Sequence, residues 1–156
     1  METLLQESGW ALPPTDALIR LTSRLLTAVV LGGIVGWERE IRGRAAGLRT
    51  HMMVALGSAV FTLVPLESGS TDLAAIVKGI APGIGFLGAG AILKLTADRE
   101  IKGLTTAASI WLTAAAGVAC GAGKMWLAVA AIGLSVLILS VAYHFEPAAT
   151  SGSDHS

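Results

Sequence analysis

Five apolar stretches alternate with short polar segments along the 156 residues of this chain. The stretches lie at 18–36, 50–66, 73–95, 104–121 and 125–143. The shortest has 17 residues, and a helix needs about 20 residues, with roughly 17 as the lower limit, to cross the hydrocarbon core of a bilayer. The pattern therefore predicts an all-α integral membrane protein, a bundle of about five transmembrane helices.

The third apolar stretch is rich in glycine and contains a proline. Pro82 precedes Gly83, Gly85, Gly88 and Gly90. Proline removes a backbone donor and commonly kinks a helix, so we expect this helix to be bent or broken. We favour the interpretation that the glycines allow neighbouring helices to pack closely. The alternative is a discontinuous helix whose exposed backbone lines an ion path, as in some transporters.

The segment between the first two apolar stretches has the highest density of charge in the chain. Its charged residues are Glu38, Arg39, Glu40, Arg42, Arg44 and Arg49. Glu38 and Arg42 have the i, i+4 spacing of a helical ion pair, and so have Glu40 and Arg44. Solvated pairs at the membrane surface are the simplest interpretation, and the arginines would also attract anionic lipid.

Two glutamates cannot neutralise the four arginines of this segment. At least two arginines must therefore interact with helix carbonyls, with the acids of a second charged connector at 96–103, or with lipid. Arg49 lies beside the start of the second apolar stretch and is followed by Thr50. We expect Arg49 to bond inside the protein and Arg44 to face water or lipid.

The fourth apolar stretch carries a row of hydroxyl groups. Thr105, Ser109 and Thr113 recur every four residues and therefore lie on one helix face, with Thr106 beside them. Each hydroxyl can bond a carbonyl one turn earlier or cross to a neighbouring helix. We favour a role in bridging helices over a polar pathway.

Composition agrees with a membrane protein and narrows the function. Apolar residues make up 53% of the chain and charged residues 14%, against about 45–50% and about 25% in soluble proteins. The zero formal net charge argues against a nucleic-acid partner, which would require a basic surface. Cys120 is the only cysteine, and His51, His144 and His155 are far apart in the sequence. We therefore expect no disulfide, metal centre, cofactor or enzyme activity.

Basic residues predict the orientation of the chain in the membrane. The two charged connectors hold seven Lys or Arg, counting Lys94 and Arg49, whereas the turn at 67–72 has none and the last turn has only Lys124. Cytoplasmic loops of membrane proteins are enriched in these residues. We therefore place the connectors and the C-terminus in the cytoplasm and the N-terminus outside.

The two ends of the chain differ from the apolar body. Residues 1–17 contain no Lys or Arg and lack the basic start of a secretory signal, so we expect a retained extracytoplasmic segment. Residues 144–156 are polar, and we expect a disordered cytoplasmic tail. Arg20 and Arg24 oppose the predicted orientation, and they either snorkel outward or face protein.

Four separated motifs resemble the MgtC/SapB family. They are GWERE at 36–40, AGLRTH at 46–51, GIGFLGAGAI at 83–92, and KGLTTAAS at 102–109 followed by WLTAA at 111–115. The resemblance implies a bacterial inner-membrane protein in which residues 18–143 form a multi-helix domain. Some members are associated with growth at low magnesium and with survival inside host cells. The best-known members continue into a soluble cytoplasmic domain, whose functions are not carried over.

Two functional hypotheses follow from these residues and this resemblance. The first is a non-enzymatic protein of magnesium or stress physiology that binds other membrane components: the lipid bilayer, a second copy of itself or another inner-membrane protein. The second is a small cation transporter or channel subunit with Gly83 to Gly90 lining the path. The candidate functional residues are Glu38, Arg39, Glu40, Arg42, Arg49, Thr50, Gly83, Gly85, Gly88, Gly90, Thr105, Thr106 and Ser109.

The orientation is testable with inserted reporters. We expect a reporter at 96–103 to be cytoplasmic and one at 67–72 to be external, because only the first segment is rich in basic residues. Alkaline phosphatase and green fluorescent protein, which are active on opposite sides of the bacterial inner membrane, report the two locations. An insertion at 122–124 is the control and should behave like the one at 67–72. Reporters at 67–72 and 96–103 on the same side would contradict the predicted crossings.

Overall fold

Five helices make up most of the chain that the computed structural model describes, residues 12–95 and 100–145. They are α1 (Thr15–Ile41), α2 (Leu48–Glu67), α3 (Leu73–Ala91), α4 (Leu104–Gly121) and α5 (Met125–Phe145). Two three-residue strands, β1 (Leu93–Leu95) and β2 (Glu100–Lys102), pair antiparallel between α3 and α4. Helices α1 to α4 are each long and apolar enough to cross a membrane. The predicted all-α membrane bundle of about five helices is confirmed.

Helix α1 is longer than the first apolar stretch because it continues into the charged segment. It ends where the N–H of Gly43 donates to the carbonyl of Glu40 and the N–H of Arg44 donates to that of Arg39, both at 3.0 Å. Gly43 has a φ of +62°, a left-handed conformation that glycine adopts readily and that closes helices with this bonding pattern. Glu38, Arg39 and Glu40 therefore lie on the last helical turn rather than in a loop.

Helix α3 runs without interruption from Leu73 to Ala91, although Pro82 lies inside it. The helix is therefore not broken, and of the two expectations only a bend is left as a prediction. Pro82 removes only its own N–H from the helical bonds, and its exposed position spares neighbouring helices from accommodating the ring. The helix ends earlier than predicted because β1 begins at Leu93. After the hairpin, Gly103 has a φ of +96° and packs on the Ala91 carbonyl so closely that a side chain would collide with it.

The centre of the bundle is formed by α1, α2 and α4, which pack against one another. Helices α3 and α5 flank them, mainly through contacts with α4. The buried apolar core consists of Ala28, Leu31, Val35, Ala55, Ala59, Ala116, Cys120, Ala128 and Ile132. Most of these side chains are small, and small side chains let helix backbones approach closely inside a membrane.

The backbones of α2 and α4 touch at two glycines one turn apart. A Cβ built on Gly121 would lie 2.7 Å from the carbonyl oxygen of Ala59. A Cβ built on Gly117 would collide with the carbonyl oxygen of Ala55. Neither carbonyl can move without disturbing its own helix, so any side chain at these two positions would force the helices apart.

Helix α1 approaches α2 in the same way. A Cβ on Gly32 would lie 2.6 Å from the carbonyl oxygen of His51, and one on Gly36 would lie 2.7 Å from the Cα of Leu48. The two glycines are spaced four residues apart, as are those of α4, which is the small-xxx-small pattern of close membrane helix pairs. These two pairs bring the central helices together.

Most glycines of α3 do not make the close helix contacts that the sequence analysis predicts for them. Gly83, Gly85 and Gly90 have nothing within 4 Å of an added Cβ in the described structure, so the packing interpretation is wrong for them within one chain. Only Gly88 is buried, with its Cβ position 3.5 Å from the Cβ of Ala107. Small residues at this spacing indicate that another helix can approach closely, but they do not identify that other helix.

The two arginines near the start of α1 have separate roles. Arg24 faces protein: its Nη1 donates to the carbonyl of Gly121, at the end of α4, over 3.2 Å. A cation at this position also interacts favourably with the helix dipole. Arg20 remains exposed and pairs with Asp16 over 2.6 Å. Arg24 therefore ties the start of α1 to the end of α4.

Replacing glycine by leucine tests which contacts hold the bundle. We expect Gly117→Leu to lower the amount of folded protein sharply, because overpacking a close contact costs about 1–3 kcal/mol or more. Gly85→Leu makes the same change in open space and should leave folding near wild type. Size-exclusion chromatography of detergent-solubilised fluorescent fusions measures both. Equal losses of folded protein in the two variants would show that the α2–α4 contact is no more important for folding than the exposed position.

Candidate functional site

Buried polar side chains gather where the end of α1 meets the starts of α2 and α4. Arg39, His51, Thr106 and Ser109 are each at most 4% exposed. We name these four residues the polar cluster. Its four residues come from three motifs that lie far apart in sequence. They meet because α2 and α4 run side by side from the same end of the bundle.

Arg39 brings a buried positive charge into the polar cluster. Its Nη1 lies 3.4 Å from Oε2 of Glu38, whose other oxygen forms a charge contact with Arg42. Nε and Nη2 of Arg39 are buried and have no hydrogen-bond acceptor among the described residues. These two nitrogens form one edge of the guanidinium, the edge that carboxylates and phosphates bind with two parallel hydrogen bonds. Leaving it unbonded is costly in a buried site.

His51 links α2 to α4 through a chain of hydrogen bonds. Its Nδ1 lies 2.9 Å from the carbonyl of Gly47, and its Nε2 lies 3.1 Å from Oγ of Ser109. The Ser109 hydroxyl also lies 2.8 Å from the carbonyl of Thr106. A neutral imidazole that donates from Nδ1 must accept the Ser109 hydrogen at Nε2. An imidazolium would donate from both nitrogens, and Ser109 would then donate to Thr106.

Glu40 fastens the short connector between α1 and α2. Its Oε2 accepts a hydrogen bond from the N–H of Leu48, the first residue of α2, over 2.7 Å. A carboxylate is favourable there because the first N–H groups of a helix have no partner within it. Gly47 lies against this contact, since a Cβ there would lie 2.6 Å from the same oxygen and would displace the Glu40 carboxylate. The GWERE and AGLRTH motifs thus meet through Glu40 and Gly47.

The prediction that Arg49 bonds inside the protein is wrong. Arg49 is exposed and forms no hydrogen bond with the described residues, whereas Arg39 is buried. The reason is helical phase: Arg39 follows Val35 by four residues on the buried face of α1, while Arg49 is two residues from His51 and points away from it. Arg44 is exposed, as predicted.

The remaining predicted residues divide between the cluster and the surface. Thr50 and Thr105 are exposed, while Thr106 and Ser109 are buried. Ser109 is the only hydroxyl of the predicted row for which a bond to another helix is described. The Thr113 hydroxyl donates to the Ser109 carbonyl of its own helix over 2.8 Å. Helix bridging therefore rests on one hydroxyl.

Sequence reasoning missed the importance of His51 and Gly47. Both lie in the AGLRTH motif, but the distance of His51 from the other two histidines in the sequence does not indicate which helix it contacts. Among residues 12–95 and 100–145, no group of three or more His, Cys, Asp or Glu could hold a metal ion. The sequence features that could have indicated this contact are Glu40, just before the connector, and Gly47, at its end.

The His51–Ser109 bond predicts a difference between two alanine variants of α4. Ser109→Ala leaves Nε2 of a buried histidine without a partner, so we expect a loss of roughly 1–3 kcal/mol in unfolding free energy. Thr105→Ala removes a hydroxyl from an exposed position of the same helix and should cost little. Thermal unfolding in detergent micelles, followed by tryptophan fluorescence, measures the difference. Similar melting temperatures for both variants would contradict a role for this bond in stability.

Comparison with known proteins identifies relatives that cover most of the bundle. The chain is 43% identical over 140 residues to protein SrpB of Synechococcus elongatus. This alignment covers 81% of this chain and 77% of SrpB. It is 39% identical over 127 residues to a protein of Escherichia coli K12 named putative magnesium transporter YhiD, covering 76% and 58% of the two chains. It is 48% identical over 100 residues to protein MgtC of Brucella abortus, covering 64% and 41%.

The matched region is thus only part of YhiD and of MgtC, about half of their length. No solved structure matches the chain. Residues 25–147 match the MgtC family, and this range includes the polar cluster, the hairpin and nearly all of the five helices. A family match over most of the chain, together with several membrane-spanning helices, shows that this multi-pass membrane protein belongs to the MgtC family.

Proposed function

We propose that this chain is an inner-membrane protein of magnesium homeostasis that acts by binding other membrane proteins, rather than by catalysis or transport. Membership of the MgtC family and similarity to a protein named putative magnesium transporter support the link to magnesium. The distribution of Lys and Arg supports a cytoplasmic location for the two charged connectors, and therefore for the polar cluster beside the first of them.

The main support for this mode of action is the close packing of the central helices in the described bundle. The central helices touch through their backbones at four glycines, which brings them too close for a side chain to lie between them at these positions. Two buried hydroxyls there, those of Thr62 and Thr113, donate to carbonyls of their own helices over 2.8 Å. An ion path requires polar groups that face a shared opening. The bundle instead presents its apolar side chains outward, to lipid or to other proteins.

Transport is the second candidate, favoured by the name of YhiD. Of the predicted path residues, Gly83 lines an open groove between α2 and α3, whereas Gly85 and Gly90 are exposed on α3. A transport path along them would need a second surface to close it. The two candidates therefore differ in whether purified protein alone moves cations.

Purified protein in liposomes that contain a magnesium indicator separates the two candidates. We expect the rate of magnesium entry to equal that of protein-free liposomes. Entry that is well above this background and is abolished by Gly85→Leu would overturn the proposal in favour of transport. Crosslinking in native membranes at low and high magnesium, followed by mass spectrometry, should then recover other membrane proteins bound to the chain.

A matched pair of arginine variants tests whether the polar cluster serves this function. Expressed in a bacterium that lacks its own MgtC-family gene, the wild-type chain should restore growth at low magnesium. We expect Arg39→Gln to lose this rescue while remaining in the membrane, and Arg49→Gln, at an exposed position, to retain it. Equal rescue by both variants would remove the polar cluster from the functional site.

A further inference from the structure

A surface recess lies where α1 ends, beside the polar cluster. It has a volume of about 620 Å³ and is lined by Trp37, Glu38, Ile41, Arg42 and Arg44. About 20 helical residues cross the hydrocarbon core of a bilayer, so a helix whose apolar stretch begins at residue 18 leaves the core near residue 37. The recess therefore lies at the boundary between hydrocarbon and water.

The recess has an apolar side and a charged side. Trp37 and Ile41 lie one turn apart on α1, and they are 61% and 69% exposed. Glu38 and Arg42 are also one turn apart, about 100° further around the helix, and form the charge contact described above. Arg44 reaches the recess because the chain turns back after α1, and its N–H donates to a carbonyl of the last helical turn. The recess thus presents apolar and cationic groups together.

Positive charge exceeds negative charge at this end of the bundle. The two connectors, residues 37–49 and 94–102, contain seven Lys or Arg and four Asp or Glu, so cations remain in excess even if every acid is paired. Among the described residues Glu38 is the only acid that lines the recess, and it contacts two guanidinium groups, those of Arg39 and Arg42. Glu40 instead holds the N–H of Leu48. An anion that enters the recess is therefore attracted.

We propose that the recess binds an anionic phospholipid. This inference concerns lipid and does not depend on the proposed function. The lipid phosphate lies against Arg42 and Arg44, because guanidinium groups form charge-assisted hydrogen bonds with phosphate, and an acyl chain lies along Trp37 and Ile41. A free phosphate would leave the apolar side uncovered, and a zwitterionic lipid would bring a cation of its own to a cationic recess. An anionic lipid matches both sides.

Quenching of tryptophan fluorescence by brominated lipid tests the site directly, because Trp37 lines it. Changing Trp10, Trp111 and Trp126 to Phe leaves Trp37 as the only tryptophan. In phosphatidylcholine vesicles we expect brominated phosphatidylglycerol to bind beside Trp37 at least about fivefold more tightly than brominated phosphatidylcholine, equivalent to roughly 1 kcal/mol. A chain with Trp126 alone, 72% exposed at the opposite end of the bundle, is the control and should show nearly equal quenching. Equal quenching of Trp37 by the two lipids would overturn the proposal.

Two charge variants of the Trp37 protein separate a site from general attraction to the surface. Arg42→Gln with Arg44→Gln should reduce the preference for phosphatidylglycerol to less than about twofold. Arg49→Gln with Lys102→Gln removes the same charge from exposed positions at the same end, outside the recess, and should retain the preference. Equal losses in both would overturn the proposal in favour of general surface attraction.

Two further outcomes keep the proposal falsifiable. The comparison of the two lipids needs no charge variant, so it decides the question even if Arg42→Gln with Arg44→Gln fails to fold. Inorganic phosphate, added at constant ionic strength, should leave the preference of Trp37 for phosphatidylglycerol unchanged, because it cannot cover the apolar side of the recess. Loss of the preference on adding phosphate would show that the recess takes a free anion instead of a lipid.

Discussion

The contact between the backbones of α2 and α4 determines what the rest of the bundle can do. Gly117 and Gly121 allow this approach, and the gap it leaves is too narrow for a side chain. Hydroxyl groups at the interface consequently bond mostly to their own helices, since the neighbouring helix presents its backbone and small side chains. The same approach places the starts of α2 and α4 side by side, where His51 reaches Ser109.

The polar cluster follows from this geometry and from the length of α1. Because α1 continues to Ile41, its buried face extends past the apolar stretch and carries Arg39 inward. Glu38 is then shared by Arg39 and Arg42, and Glu40 is left to hold the first turn of α2. The charged segment is therefore neither a flexible loop nor only a solvated surface, and its acids have different structural roles although they are two residues apart.

The sequence predicted the class of fold well because bilayer thickness sets the length of every apolar segment. The site was predicted less well, for two physical reasons. Arg39 and Arg49 lie in equally charged surroundings in the sequence. The end point of α1 and the helical phase of each helix decide that Arg39 faces the core and Arg49 does not. Gly83 and Gly117 both belong to apolar, small-residue segments, and only the arrangement of the helices decides which has a neighbour. Hydropathy contains no information on either point.

Arg24 and His51 hold the central helices at opposite ends of the bundle. Arg24 joins the start of α1 to the end of α4, and His51 joins the start of α2 to the start of α4. With Glu40 closing the turn between α1 and α2, these three helices cannot slide along one another to match a thicker or thinner bilayer. A change in membrane thickness must instead be met by tilting the trio as one rigid unit or by deforming the surrounding lipid. Helix α3, whose only buried residue is Gly88, has little buried surface that such a tilt must preserve.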